Sequence, residues 1–463
     1  MLFASATFLF WFLPLFLGVY YLTPKRGRSW TLGLTSYVFY GWWRPDFLIL
    51  MLTSTLVDHL CGRKIFAARR EGGRGRNWLW LSLATNLGLL GWFKYANFGI
   101  DTLNEVLAVA GSDGFSMAEI VLPVGISFYT FQTLSYTIDI YRGQVEPVKR
   151  FGDFVCYVAM FPQLVAGPVV RYSTVAKQLF ERTHTWDKFA AGVLAFQSGL
   201  VKKVLLADLL APAADLVFAG GPVTTADAWI GSLAYSFQLY FDFSGYSDMA
   251  IGLGLMLGFR LPINFDRPYI SQSITEFWRR WHISLSTWLR DYLYLPLGGN
   301  RKGGTRTYVN LALVMLIGGL WHGAAWTFLV WGAWHGGWLI IERWRGKRAL
   351  HASMPRPMKV ASTMLIVLIG WVFFRAQGLA HGTAIVGSLV GIGADASPIQ
   401  GLLSPLLMIG TVLSIGVVYL APTTQALILK QPRSWTFLLQ LLFLLALTRL
   451  VNAEHVPFLY FQF

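Results

Sequence analysis

The sequence predicts an all-α protein that crosses a membrane many times, and three observations support this fold class. Apolar residues make up 55% of the 463 residues, and charged residues make up only 13%, about half of the usual share in a soluble domain. A single soluble core cannot bury this much apolar surface. Long apolar stretches follow one another without a polar linker, so we expect one membrane domain over residues 1–463.

The first membrane segment is predicted at residues 1–24, which carry no charged side chain and are long enough to span a bilayer. The segment lacks a basic start and a small-residue cleavage site, so we do not expect a cleaved signal peptide. Lys25, Arg26 and Arg28 follow it directly. This basic loop is expected on the cytoplasmic side, since cytoplasmic loops carry an excess of Lys and Arg.

Ten further apolar stretches predict the other membrane segments, and they lie at 30–61, 77–99, 119–141, 152–170, 188–220, 226–258, 308–341, 360–379, 403–422 and 434–451. Some are long enough for two passes, which gives about 11–13 membrane segments, including short or re-entrant helices. The stretch 30–61 is barely long enough for two passes. It is followed by the most basic loop, residues 63–76, which we also expect in the cytoplasm.

The net charge of +15 comes from 38 basic and 23 acidic residues, and the basic ones cluster in short loops between apolar stretches. This pattern is typical of membrane orientation rather than of nucleic-acid binding, and it is compatible with attraction of an anionic cytosolic ligand. The two cysteines, Cys61 and Cys156, have no metal or redox spacing. Neither an HExxH metal motif nor a GxxxxGK phosphate loop occurs, so we expect no metal.

The segment at 277–299 combines charged and aromatic residues in an unusual way. On a continuous helix, His282, Ser286 and Arg290 would share one face, at i, i+4 and i+8. Trp288 and Leu289 contribute to an apolar surface beside that face. Such a segment could line a polar cavity, or it could be an interfacial anchor helix with its tryptophans at the depth of the headgroups.

The stretch 308–341 has no Asp, Glu, Lys or Arg, but it contains His322 and His335. Arg306 should lie at the cytoplasmic surface, and His322 follows sixteen residues later, about 24 Å along a helix. Because the hydrocarbon core is about 30 Å thick, His322 is predicted deep in the membrane, where ionisable residues are usually functional. Its imidazole could act as a general base, or it could hydrogen-bond a neighbouring helix. His335 is expected to be structural.

Two further features of the sequence concern packing and charge. Gly318, Gly319 and Gly323 surround His322, and such a cluster lets backbones approach closely or breaks a helix. Asp242 and Asp248 lie within an apolar stretch, where carboxylates usually have partners. We expect Arg279 or Arg280 to be that partner, either as an ion pair that fixes helix packing or as part of proton or substrate handling.

Eight short motifs occur in one order along the chain, at 42–44, 93–98, 122–128, 166–168, 240–248, 277–300, 319–323 and 458–463. Through this ordered set the chain resembles the bacterial membrane-bound O-acyltransferase (MBOAT) family, and within it the membrane subunits of alginate O-acetylation. The resemblance implies a ring of tilted helices around a central tunnel. It places the near-invariant histidine of the family on His322, where cytoplasmic and extracytoplasmic funnels would meet, and the second family histidine on His282.

The resemblance also implies a function. Acetyl-CoA would be the donor, with Arg290, Arg301 and Lys302 expected at a basic rim that meets its phosphates. His322 would remove the proton of an acceptor hydroxyl or carry the acetyl group transiently. His282 would bind near the acyl carbonyl or orient the reacting groups.

The acetyl group would cross the bacterial inner membrane to periplasmic acetyltransferase or carrier proteins, for O-acetylation of an exopolysaccharide. Alginate is expected as that polymer, with cellulose or peptidoglycan as the other options. Two classes of function compete with this expectation: a transporter or export channel, against which the absence of internal repeats counts, and a non-catalytic scaffold of an acetylation complex.

Overall fold

The computed structural model describes residues 1–42, 44–165, 167–346, 353–393, 396–402, 404–452 and 458–459. These residues form helices and no strand, which confirms the all-α class. The motifs at 42–44, 166–168 and 458–463 lie partly outside the described residues. Two compact units make up the chain, residues 1–192 with 250–262, and residues 193–249 with 263–463.

The first unit begins with a π-helical segment, Thr7–Phe12, that continues directly into the first α-helix. Its helices are α1 (Leu13–Leu22), α2 (Arg28–Gly41), α3 (Leu48–Arg70), α4 (Arg76–Val109), α5 (Ile126–Arg142), α6 (Phe151–Ala159), α7 (Phe161–Leu164) and α8 (Tyr172–Glu181). The helix α9 (Trp186–Val201) begins in this unit and ends in the second one.

The second unit contains the segments that the sequence singles out for chemistry. Its helices are α10 (Asp208–Phe218), α11 (Thr225–Met256, of which the last turns belong to the first unit), α12 (Ile274–Arg280), α13 (Ile283–Leu289), α14 (Gly304–His322), α15 (Trp326–Trp344), α16 (Arg356–Arg375), α17 (Leu379–Leu389), α18 (Pro405–Leu420), α19 (Thr424–Lys430) and α20 (Arg433–Asn452). Short π-helical segments, Lys202–Ala207 and Arg290–Tyr294, follow α9 and α13.

The basic segment at 63–76 differs from the expected loop. Helix α3 continues to Arg70, and only residues 71–75 separate it from α4. Arg69 and Arg70 lie in the last turn of α3, where cationic side chains interact favourably with the helix dipole. Straight-chain basic residues are also good helix formers, so the high charge of this segment did not indicate a loop.

Two helices of the described residues, α16 and α20, are long and apolar enough to cross a membrane. The pair α18 and α19, bent by 53° at a short break, could form a third span. Several predicted segments are shorter or interrupted: the helix in 119–141 starts only at Ile126, and the stretch 152–170 is divided into α6 and α7. The larger number of membrane segments expected from the sequence therefore stays a prediction.

Helices α14 and α15 form a tight antiparallel hairpin, and glycines explain its closeness. A Cβ atom at Gly319 would lie 2.3 Å from a backbone carbonyl oxygen of α15, and one at Gly332 would lie 2.4 Å from a carbonyl oxygen of α14. Helix α14 ends at His322 because Gly323 has an extended backbone, with φ −160° and ψ 149°. The glycine cluster thus does both things that the sequence allowed, since it permits close packing and ends the helix.

Candidate functional site

The two histidines singled out from the sequence come together in the second unit. The ring centroids of His282 and His322 lie 6.2 Å apart, although the residues are separated by 40 positions in the chain. His282 is fully buried, and His322 is 5% exposed. The ring planes meet at 63°, so the two imidazoles contact each other edge to face.

His282 does not lie on a helix. It occupies the break between α12 and α13 and has a left-handed backbone, with φ 43° and ψ 52°, which is uncommon for a residue other than glycine. The expectation that His282, Ser286 and Arg290 share one face of a continuous helix is therefore wrong. Ser286 instead belongs to the first turns of α13, and its backbone N–H donates to the carbonyl oxygen of His282 at 3.0 Å.

Helix α12 is short, and side chains cap its first turn. The hydroxyl of Ser273 accepts a hydrogen bond from the backbone N–H of Glu276 at 3.0 Å, as preferred N-cap residues do. The carboxylate of Glu342, on α15, accepts from the N–H groups of Ile274 at 2.6 Å and Thr275 at 2.8 Å. These bonds tie the start of α12 to α15, and they hold the segment that leads into His282.

The imidazole of His322 is the last side chain of α14 and is packed among aromatic rings. Its ring centroid lies 4.9 Å from that of Trp321, 5.1 Å from Trp331 and 5.3 Å from Phe374, all at steep angles. Aromatic neighbours restrict the orientations of the ring. His322 also forms part of the wall of a cavity of about 470 Å³.

This cavity is bounded by α12, α13, α14, α15 and the π-helical segment after α13. Apolar side chains form most of its wall, while Arg279, Arg290 and Arg343 contribute cationic groups and Ser286 a hydroxyl. A hydrogen bond to Asp291 raises the pKa of Arg290 above its ordinary value, so its guanidinium stays charged. An apolar cavity with a cationic rim suits a ligand that has an anionic end and a less polar arm.

Of the three cationic residues expected at the rim, the structure places Arg290 in the cavity wall. Arg301 and Lys302 are exposed and directly follow Asn300, which lines the cavity. Sequence reasoning missed Arg279 and Arg343 in this position. Arg279 lies in the aromatic and charged segment that had drawn attention, whereas Arg343 follows the long uncharged stretch with no signal of its own.

His335 lies on α15 and is fully buried. Its ring stacks on Phe277 at 6.1 Å and contacts Trp331 at 5.2 Å. Neither ring nitrogen has a hydrogen-bond partner among the described residues. The aromatic surroundings are those of a packing residue.

Buried ion pairs lie elsewhere in the second unit. Lys203 lies 2.7 Å from both Asp208 and Asp242, and Lys202 lies 2.5 Å from Asp248. Both lysines begin the π-helical segment that follows α9. Because charges without partners are costly in an apolar interior, these pairs fix α11 to the start of α10.

The predicted arginine partner for Asp242 and Asp248 is therefore wrong. Arg280 forms ion pairs with Asp266 at 3.3 Å and with Glu276 at 2.9 Å, both close to it in sequence. Local acidic residues satisfy its charge, and the lysines lie nearer to the carboxylates of α11.

Comparison with known proteins identifies the class of the chain. A family model described as the membrane-bound O-acyltransferase family matches residues 149–382, a range that contains both histidines and the three cavity arginines. A probable alginate O-acetylase of Pseudomonas putida is 48% identical over the whole of both chains. Another, from Pseudomonas aeruginosa, is 56% identical over 82% of this chain and 73% of its own. A peptidoglycan O-acetyltransferase of Helicobacter pylori is 38% identical over 85% of this chain and 80% of its own.

The chain is thus an acyltransferase of a membrane-bound class. It belongs to the membrane-bound O-acyltransferase family. The resemblance read from the sequence motifs is confirmed.

Proposed function

We propose that this protein takes an acetyl group from cytoplasmic acetyl-CoA and passes it across the bacterial inner membrane for O-acetylation of an exopolysaccharide. The observation that carries the proposal is the position of His322, which lines a cavity with three arginines and lies 6.2 Å from His282 between ring centroids. The family supplies the reaction class, and the cavity supplies a place for the donor.

The arginines support a donor with phosphate groups. Arg279 and Arg343 can each form paired hydrogen bonds to phosphate oxygens. Arg290 also lines the cavity, although two of its nitrogens already donate to Asp291. Arg301 and Lys302 add exposed cations beside the cavity. The less polar arm of acetyl-CoA would lie along the apolar wall, so that its thioester reaches His322. The bulky nucleotide then stays on the cytoplasmic side, and only the acetyl group has to cross the membrane.

The chemistry at the histidines balances without a further reactant. His322 removes the proton of the acceptor hydroxyl, the hydroxyl oxygen attacks the thioester carbonyl, and the C–S bond breaks. The departing sulfur then takes the proton from His322. In a second version, His322 itself carries the acetyl group between donor and acceptor. His282 orients the reacting groups or binds near the carbonyl.

The names of the relatives support a polysaccharide as the final acceptor. Relatives with about half of their residues identical are named probable alginate O-acetylases, and a more distant one is a peptidoglycan O-acetyltransferase. We propose alginate as the polymer, with cellulose or peptidoglycan as the other options, and periplasmic acetyltransferase or carrier proteins as partners. We propose that the acetyl group passes through a tunnel within a ring of helices. The length of α14 is compatible with this path, because His322 lies sixteen residues, about 24 Å, from Arg306 along this helix.

The test is acetyl transfer from labelled acetyl-CoA by the purified protein with its acceptor partner. His322→Ala should lower turnover by about 100-fold to 10,000-fold, the usual range for loss of a general base. His335→Phe is the matched control. It replaces a buried ring whose nitrogens have no hydrogen-bond partner among the described residues, so it should keep most of the activity.

Other results would contradict the proposal. Full transfer by both His322→Ala and His282→Ala would indicate a non-catalytic scaffold. Movement of a solute without consumption of acetyl-CoA would indicate a transporter or export channel. The polymer itself is identified by a deletion strain, through the cell-envelope polysaccharide that loses its acetyl esters.

A further inference from the structure

We infer that Asn264 is a positioning residue that fixes the tautomer of His282, so that His282 acts toward the substrate as a hydrogen-bond acceptor. This inference rests on the proposed function of the histidine pair. Asn264 is 1% exposed and lies in the segment between α11 and α12. Its side-chain oxygen Oδ1 lies 3.1 Å from Nδ1 of His282.

The orientation of the Asn264 amide follows from its other hydrogen bonds. Oδ1 also accepts from the backbone N–H of Ser284 at 3.3 Å and from its hydroxyl at 2.8 Å. On the other side of the amide, Nδ2 donates to the hydroxyl of Ser247 at 3.0 Å. Because a backbone N–H can only donate, the amide atom that faces Ser284 and His282 must be the oxygen.

This orientation determines where the proton of His282 lies. An amide oxygen can only accept, so Nδ1 of His282 must carry a hydrogen and donate it. In the neutral ring, Nε2 is then a lone-pair acceptor. Nε2 is buried and has no hydrogen-bond partner among the described residues. An unpaired buried acceptor is destabilising, and a hydrogen bond from a substrate hydroxyl would remove that penalty.

The backbone of Asn264 also supports the unusual conformation of His282. The carbonyl oxygen of Asn264 accepts the N–H of Ile283 at 2.9 Å, next to the left-handed residue. A left-handed backbone is strained at a residue other than glycine, and such strain persists where the surroundings enforce it. Asn264 thus holds both the main chain and the ring of His282.

The fixed tautomer decides between the two roles left open for His282. With Nδ1–H occupied by Asn264, neutral His282 has no hydrogen to offer an acyl carbonyl. Its Nε2 accepts a hydrogen bond instead, and the acceptor hydroxyl is the donor that the proposed reaction supplies. A hydroxyl has a single hydrogen, and His282 accepts it, so this arrangement favours the version of the reaction in which His322 carries the acetyl group. The hydroxyl oxygen then attacks the acetyl carbon on His322, whose ring centroid lies 6.2 Å from that of His282. Its proton passes to Nε2 of His282, and the C–N bond to His322 breaks.

The test compares Asn264→Leu and Asn264→Asp in the full-length protein, with acetyl-CoA and the acceptor partner as substrates. Asn264→Leu removes the acceptor at similar size and should lower kcat by about 100-fold, as loss of a residue that orients a histidine does. The KM for acetyl-CoA should change less than about threefold, because the cavity arginines are untouched. In a His282→Ala background, Asn264→Leu should cost less than about threefold more, since Asn264 acts through His282.

Asn264→Asp is the conservative variant, and it keeps the inference testable if Asn264→Leu does not fold. A carboxylate accepts the same Nδ1–H bond, so much of the activity should return. Its negative charge also favours the protonated imidazole, so the pH of half-maximal kcat should rise relative to the parent. Ser247→Ala is the matched control, because it removes only the bond to Nδ2; its pH profile should coincide with that of the parent protein.

The outcomes separate this inference from the proposed function. Loss of activity in His322→Ala together with near-parent kcat in Asn264→Leu would overturn the inference alone. An Asn264→Asp protein with an unchanged pH profile, or full additivity with His282→Ala, would do the same, because either result indicates a purely structural asparagine. Full activity of His322→Ala would overturn the proposed function itself.

Discussion

A single methyl group at Gly319 should displace α14 from α15 and reduce activity. The Cβ atom of Gly319→Ala would lie 2.3 Å from the carbonyl oxygen of Phe328, and the nearest other atoms are also backbone, so no side chain can rotate away. Ordinary C···O contacts need about 3.3 Å, so the helices must separate by about 1 Å. Overpacking of this kind costs about 1–3 kcal/mol.

The displacement matters because His322 lies one turn beyond Gly319 on the same helix. A shift of about 1 Å in a reacting group can lower turnover by about 100-fold. We expect Gly319→Ala to lower both the thermal unfolding midpoint in detergent and acetyl transfer, with the larger loss in transfer. Gly337→Ala is the matched control: its Cβ would have no atom within 4 Å, and alanine favours a helix by about 1 kcal/mol over glycine.

Two results would refute this reasoning. The contact between the hairpin helices would not be as close as described if Gly319→Ala kept the midpoint and the turnover of the parent protein. If Gly337→Ala lost as much activity as Gly319→Ala, the effect would belong to any substitution in the hairpin and not to the contact at Gly319.

Two further predictions concern charges in the second unit. Lys203→Met leaves the buried Asp242 and the partly buried Asp208 without their cation and should destabilise the protein by about 3–5 kcal/mol. Arg375→Met removes a pair with a largely exposed aspartate and should cost less than about 1 kcal/mol. Equal unfolding midpoints for the two variants would contradict this prediction. Glu342→Gln weakens the cap of α12 and should raise the KM for acetyl-CoA by about fivefold, close to 1 kcal/mol, measured by initial rates. An unchanged KM would mean that the cap does not position the cavity arginine on α12.

The sequence predicted the all-α class, and it singled out His322, which lies in the cavity wall, for a simple physical reason. An imidazole in a stretch of 34 residues without Asp, Glu, Lys or Arg stands out against its surroundings, and ionisable groups in apolar environments are usually functional. The glycines beside it were also informative, since both close packing and a helix end depend on local backbone properties. Signals of this kind lie within a few residues of the feature that they predict.

Other features depend on contacts between distant parts of the chain, and for these the spacing of residues in the sequence gave wrong predictions. The i, i+4, i+8 spacing of His282, Ser286 and Arg290 presumes an unbroken helix, but the chain bends at His282 in a conformation that few residues other than glycine adopt. The pairing of Asp242 with Lys203 joins residues about 40 positions apart. By charge alone, the arginines were as good candidates for this pairing as the lysines. Only the packing of the helices decides which cation lies beside each carboxylate.

The same distinction explains why Asn264 could not be singled out from the sequence. An asparagine in a loop segment is ordinary, because its side chain often satisfies local backbone groups. What makes Asn264 unusual is the convergence of three donors on one oxygen, of which the ring nitrogen of His282 is one. An acid–base residue needs a defined tautomer as much as a defined position, so the residues that decide its chemistry include some that never touch the substrate. At this candidate site, the histidines can be found by their type, whereas the residue that we propose to fix the proton of His282 can be found only by its contacts.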